Sequence, residues 1–158
     1  MDETPQIEVR PIEPEDYDGA VGLIRANLGE YDAYDGDADT SDLEARRMDD
    51  LYDEPRGRFW VAVADGAVVG TIGLERKDER VCQFRRLSVH SDFRRHDVAR
   101  QLALKAEEWA REAGFRRALV EITTKQKPAQ VFLQTGGYQE FKRALRNKQV
   151  VIYYEKTL

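Results

Sequence analysis

The sequence predicts a mixed α/β fold: one twisted, mixed central sheet of about seven strands with flanking helices. Three observations carry that expectation. Runs with strand character and runs with helical spacing succeed one another in the order β-α-α-β-β-β-α-β-α-β-β. Asp65-Gly66 stands between two apolar runs, a strong hairpin signal. Val98, Leu102, Ala106, Trp109, Ala110 and Ala113 fall on one helical stripe, which Gly114 ends.

Taken in order, Ile7 to Ile12 reads as a short strand, bounded by Pro11 and Pro14. A helix starts at Pro14, which suits a first helical turn, with Glu15 and Asp16 at its positive end. Ala20, Leu23, Ile24 and Leu28 then recur at helical spacing. Tyr31 to Thr40 is acidic and turn-like, and a second helix is expected from about Asp42 to Tyr52. Phe59–Ala64 and Val68–Leu74 form the hairpin around Asp65-Gly66, and Val81–Val89 is the next strand after a polar turn. After the striped helix, Ala118–Ile122 reads as a strand and Pro128–Gln134 as a short helix. Tyr138–Leu145 and Val150–Thr157 close the chain as a hairpin around Arg146-Asn147-Lys148.

At 158 residues the chain is expected to form one domain, residues 1–158, with enough length for a substantial core. The 41% apolar and 35% charged composition is that of a soluble globular protein, with no run of membrane-spanning length. The first ten residues lack the features of a secretory signal, so a cytoplasmic location is expected. One cysteine excludes an internal disulfide and two histidines suit few metal sites, so no metal is expected. Charge is uneven. Residues 1–58 carry 18 acidic against 6 basic side chains, residues 59–158 carry 12 against 19. A solvated acidic face explains this; so does an acidic half facing a cationic acceptor and a basic half facing a phosphate-rich ligand.

The segment from Leu87 to Leu102 carries the most chemistry. A strand ends at Val89, a polar turn holds Arg94 and Arg95, and a helix opens directly after it. Backbone amides at a helix start, the helix dipole and guanidinium forks together suit a polyphosphate. The segment resembles the cofactor loop of the GNAT family of N-acetyltransferases, whose pattern is Gln/Arg-x-x-Gly-x-Gly/Ala. Arg94, Asp97 and Ala99 occupy its three defining positions, with Asp97 where the family has glycine. The resemblance implies acetyl-CoA as cosubstrate. The pyrophosphate would lie on the loop of Arg94, Arg95, His96, Asp97, Val98, Ala99 and Arg100, and the pantetheine arm along the backbone of Leu87, Ser88 and Val89. Asp97 leaves two readings: aspartate tolerates a left-handed turn and keeps the loop's shape, or the loop binds acetyl-CoA poorly.

A second segment, Gln126 to Tyr138, is similar to the family's later motif, Asn-x-x-Ala-x-x-Leu-Tyr-x-x-x-Gly-Phe. Gln126 stands for the asparagine, Ala129 and Gly137 match, and Phe132 and Tyr138 are close replacements. The resemblance implies that Gln126, Ala129 and Phe132 contact the cofactor. It also marks two gaps. Leu133 stands where many members carry a tyrosine that protonates the departing thiolate, and Gln83 where many carry a glutamate base. Neither side chain does that work at neutral pH.

The resulting expectation is a GNAT-type fold that moves an acetyl group from acetyl-CoA to a primary amine by direct attack. Glu121 or water would receive the proton, and Tyr31 and Tyr34 would shape the pocket of a small-molecule or peptide acceptor, cationic by the acidic segment. The rival reading is an acyl-CoA-binding regulatory module without catalysis. A nucleic-acid-binding role for Arg85, Arg86, Arg94, Arg95 and Arg100 is third, opposed by the acidic half. Neither nucleic acid nor membrane is the expected partner. The last hairpin offers an edge for a homodimer.

Overall fold

The computed structural model describes residues 6–30, 52, 56–94 and 96–158. Its elements are β1 (Glu8–Pro11), a 3-10 turn (Pro14–Asp16), α1 (Tyr17–Glu30), β2 (Gly57–Ala64), β3 (Ala67–Arg76) and β4 (Val81–Val89). A second 3-10 turn (Ser91–Phe93) leads to α2 (Val98–Glu112), then β5 (Arg117–Thr123), α3 (Lys127–Thr135), β6 (Gln139–Arg146) and β7 (Gln149–Thr157). The helix expected at 42–52 lies outside the described residues, Tyr52 excepted, as does the acidic stretch 31–40. Among the described residues no helix is long and apolar enough to cross a membrane.

The seven strands form one sheet in the order β1-β2-β3-β4-β5-β7-β6. All neighbours are antiparallel except β4 and β5. The two hairpin turns have the local geometry the strand twist demands. Asp65 and Gly66 take φ 50° and 77°, and Asn147 and Lys148 take 51° and 64°, so both central residues of each turn are left-handed. The second turn is therefore Asn147-Lys148 alone, with Arg146 belonging to β6.

The sheet is covered on opposite faces by α2 and α1. A Cβ on Gly70 would lie 2.8 Å from both Leu102 and Val98, which places α2 directly against the middle of β3. One on Gly73, pointing the other way, would meet Tyr52 and Phe59. These belong to the cluster that α1 completes with Ala20 and Ile24. On the α2 side Trp60, Ile72, Leu74, Phe84, Leu102 and Ala106 form the larger core. The α2 stripe holds for Val98, Leu102, Ala106 and Ala110, but Ala113 is exposed. The physical reason is the helix end. Gly114 turns left-handed and Phe115 N–H closes back on Ala110 O at 2.9 Å, so the chain leaves the helix at Ala113.

Two ion pairs fix elements that frame the sheet. Arg10 of β1 grips Asp16 with both guanidinium nitrogens, at 2.7 and 3.1 Å, and Glu13 N–H donates to the same carboxylate at 2.9 Å. Glu107, on the buried side of α2 and only 2% exposed, accepts from Lys156 Nζ at 2.7 Å and Tyr138 Oη at 3.2 Å.

Candidate functional site

β4 and β5 pair only from Val81↔Arg117 to Phe84↔Val120, although β4 runs on to Val89 and β5 to Thr123. Beyond Phe84 the strands part. The opening therefore starts well before the Val89 end of β4. The cause is a bulge: the register against β3 slips between Thr71↔Ser88 and Gly73↔Arg85, and Arg86 takes φ 57°. Thr71 Oγ1 donates to Arg86 O at 2.7 Å and holds the bulge in place. An extra residue bends a strand and increases its twist, which turns β4 away from β5.

The parting leaves a cleft of about 930 Å³, open mouth included. β4 lines it with Phe84, Arg85, Arg86, Leu87 and Ser88, and β5 with Val120, Glu121 and Ile122. α3 adds Gln126, Ala129, Phe132 and Leu133; α1 adds Ile24, Asn27 and Leu28. His90 N–H donates to Val69 O at 2.8 Å, toward β3. Alternation along the strand then turns the backbone groups of Leu87 and Val89 to the open side. The Val89 carbonyl is already engaged there, by Asn27 Nδ2 at 3.0 Å and Arg94 Nε at 3.2 Å. Arg94 thus bonds the strand end that precedes its loop.

Past the end of β4 and the 3-10 turn, α2 begins. Asp97 adopts the left-handed conformation, φ 62° and ψ 22°, and its side chain makes no capping bond. The first helical bond runs from Gln101 N to Asp97 O, so the amides of Val98, Ala99 and Arg100 precede the hydrogen-bond ladder. The Asp97 carboxylate is exposed and meets Arg100 Nη1 at 3.2 Å, which places a cation beside it. Asp97 takes the left-handed conformation that the first of its two readings requires. Val98 keeps its place on the apolar stripe of α2. Its side chain is 1% exposed and packs under Gly70, so it offers the loop only its amide. His96 is half-buried beside Phe93, ring centres 6.0 Å apart. His90 accepts from Asp92 N–H at 3.1 Å and caps the 3-10 turn that follows it. Arg95 lies outside the described residues.

α3 forms the facing wall. Gln126 Oε1 accepts from Thr123 N–H at 2.9 Å, tying the start of α3 to the end of β5. Leu133 lines the cleft, buried, and carries no proton to give. Tyr138 also lines it, but burial first and the neighbouring Glu107 second push its hydroxyl far above the ordinary phenol range. Cys82 sits in the core with its thiol pushed up to about 12 by burial. It is no nucleophile at neutral pH.

The other face of the split carries charge. Glu121 lines the cleft and accepts from Arg146 Nη2 at 2.9 Å. Arg85 pairs with Glu75 at 3.2 Å. Gln83 is buried between Glu75 and Leu119 and is not among the described residues lining the cleft. Tyr31 and Tyr34 lie outside the described residues. Sequence reasoning missed Asn27 and Arg146. Asn27 left a signal, a polar residue next to the apolar stripe of α1; Arg146 is hidden in a turn-like tripeptide.

Comparison with known proteins adds to this geometry. The family model described as Acetyltransferase (GNAT) family matches residues 25–138. An uncharacterized N-acetyltransferase of Escherichia coli, YjgM, is 32% identical over 98 residues, which is 60% of this chain and 59% of that protein. An N-acetylaspartate synthetase of Danio rerio is 31% identical over 102 residues, 63% of this chain and 34% of that protein. The chain thus spans less than two thirds of the length of these relatives. The crystal structure of PaiA N-acetyltransferase from Thermoplasma acidophilum in complex with coenzyme A superposes with a TM-score of 0.80 at 16% identity, covering 97% of this chain and 99% of that one.

Proposed function

We propose, for a chain that belongs to the acetyltransferase (GNAT) family, that it transfers an acetyl group from acetyl-CoA to a primary amine by direct attack of the amine. One observation carries the reading: β4 and β5 part beyond Phe84, opening a cleft lined by β4 as far as Ser88 and by Ala103 of α2, and α2 starts without a side-chain cap shortly after β4 ends. The residues present suit the ligand. The first-turn amides of α2 are not taken by Asp97, and small side chains at Ala99 and Ala129 allow close approach.

Acetyl-CoA supplies an activated thioester carbonyl and a thiol leaving group. The chain does the rest. The amides of Val98, Ala99 and Arg100, with the Arg94 and Arg100 cations, hold phosphate at the helix dipole's positive end. The outward backbone of Leu87 and Val89 aligns the arm, through amides because the Val89 carbonyl is engaged. Ala129 and Phe132 pack against it from α3. Fixing thioester and amine together provides most of the acceleration. Glu121, which lines the cleft, takes the amine's proton directly or through water, with Arg146 orienting its carboxylate. Water supplies the thiol proton, since Leu133 has none. A relative named for N-acetylaspartate supports an acceptor of small-molecule size.

The test is calorimetric titration with acetyl-CoA, followed by free-thiol release with and without a panel of amines. Binding of about micromolar Kd, near −8 kcal/mol, and thiol release that depends on the amine are expected. Binding without amine-dependent release would make the protein an acyl-CoA-binding regulatory module. No binding would overturn the phosphate site at Arg94–Arg100.

A further inference from the structure

We infer that the side-chain amide of Asn27 extends the free edge of β4 and receives an amide N–H of the acetyl-CoA arm in place of the Val89 carbonyl. The inference rests on the acetyl transfer proposed above and adds to it a residue of α1. Val89 ends β4 with its N–H and C=O turned away from β3, toward the side where β5 has parted. On an unpaired strand edge such a carbonyl is the natural acceptor for a ligand's N–H. Here two donors converge on it, Asn27 Nδ2 at 3.0 Å and Arg94 Nε at 3.2 Å. A carbonyl oxygen has two lone pairs, so its capacity is spent.

What the edge loses, the Asn27 side chain returns. Only the nitrogen of a carboxamide can meet a carbonyl, which fixes the orientation of this amide and leaves Oδ1 as its other end. Among the described residues Oδ1 accepts no hydrogen bond, nor is it one of their fully buried unpartnered atoms, so it stays open to an incoming donor. α1 contributes Ile24, Asn27 and Leu28 to the cleft, which makes Asn27 the polar member of an otherwise apolar stretch of wall. An acceptor in such a wall suits a donor that would otherwise go unsatisfied there. The arm of coenzyme A is built around amides, and their N–H groups are donors of that kind. A carboxamide has the planarity, donor and acceptor of a peptide unit, so Asn27 passes the hydrogen bonding of the strand edge on to the ligand. Position along β4 favours the arm over the amine. Val89 ends β4 on the way to the proposed phosphate site, whereas Glu121 follows Val120, the partner of Phe84 where the strands part.

The test titrates coenzyme A and its armless nucleotide, 3′-phospho-ADP, by calorimetry into the parent protein and Asn27→Leu. Leucine matches asparagine in shape and removes both ends of the amide. Coenzyme A is expected to bind the variant about tenfold more weakly, the scale of one hydrogen bond left unmade inside a cleft, while 3′-phospho-ADP binds it as it binds the parent. Heteronuclear NMR of the parent protein gives a second readout, which decides alone where Asn27→Leu does not fold. The Asn27 side-chain amide signal is expected to shift with coenzyme A and to hold still with 3′-phospho-ADP. Equal weakening of both ligands makes Asn27 a structural tie between α1 and β4 and overturns the inference. Unchanged coenzyme A affinity, or a variant altered only in KM for the amine, overturns it too, and in each case the acetyl transfer stands. Failure of coenzyme A to bind the parent protein overturns both.

Discussion

Lys156 Nζ lies 2.7 Å from Glu107 Oε1, joining the last strand to the buried side of α2. The same ammonium donates to Gly136 O at 2.8 Å, where α3 ends, so one cation ties together α2, β7 and the wall of the cleft. Glu107 is 2% exposed and has Tyr138 as its second donor. Removing one partner strands a buried charge, whereas removing both leaves a packable apolar site. Lys156→Met is expected to cost about 3 kcal/mol in urea unfolding, and adding Glu107→Met to recover most of that loss. A double variant no better than the single one would show that the pair contributes through packing instead.

Asp97 holds a left-handed backbone at the start of α2, a conformation that aspartate tolerates and β-branched residues do not. Asp97→Gly relaxes that strain and removes a negative charge beside the proposed phosphate site. Its carboxylate is more than half exposed and faces Arg100, so the electrostatic gain is small. Acetyl-CoA affinity measured by calorimetry is expected to rise about threefold in Asp97→Gly. Asp97→Val should lose about 1–2 kcal/mol of stability from strain alone. Unchanged affinity in Asp97→Gly would mean that the phosphates lie away from this residue.

How far the sequence reveals this architecture depends on which local signals have one physical meaning. Asp65-Gly66 and the α2 stripe were legible because turn chemistry and helical spacing admit few alternatives. The limits of β4 were read correctly at Val81 and Val89. The bulge inside it was not, since an arginine at positive φ leaves no trace in a run such as Phe84-Arg85-Arg86-Leu87. That hidden residue decides where the cleft opens and sends Arg85 and Arg86 to its mouth. Arg146 was equally silent, because its contact with Glu121 spans a pairing of β5, β7 and β6 that only the fold creates.

Glu121 is the carboxylate of β5 placed both in the cleft and against Arg146. Glutamine keeps an oxygen for Arg146 and so preserves the arrangement, but cannot accept the amine's proton. Glu121→Gln is therefore expected to lower kcat about tenfold to a hundredfold with KM for acetyl-CoA unchanged, since a proton acceptor of this kind contributes at least that much. Steady-state kinetics with a fixed amine distinguishes the two constants. Parent-like kcat in this variant would assign the proton to water and leave Glu121 as the anchor of Arg146.

The Arg10–Asp16 clamp sets a pH limit on stability. Burial works to raise the Asp16 carboxyl, but the Arg10 hydrogen bonds, the Glu13 amide and the Arg10 charge together outweigh it and hold the group below its ordinary value. A carboxyl with a lowered folded-state pKa contributes stability above its unfolded pKa, about 3.9, and loses it as pH falls through the folded value. At pH 7 Asp16→Asn is expected to cost about 1–3 kcal/mol, because it leaves a half-buried guanidinium with the more distant and exposed Glu13 carboxylate, at 3.8 Å, in place of its 2.7 Å partner. Urea unfolding of parent and variant across pH 7 to 3 should show a constant gap down to about pH 5 and a closing gap below about pH 4. A gap that stayed constant to pH 3 would mean that shape, and not charge, makes the clamp.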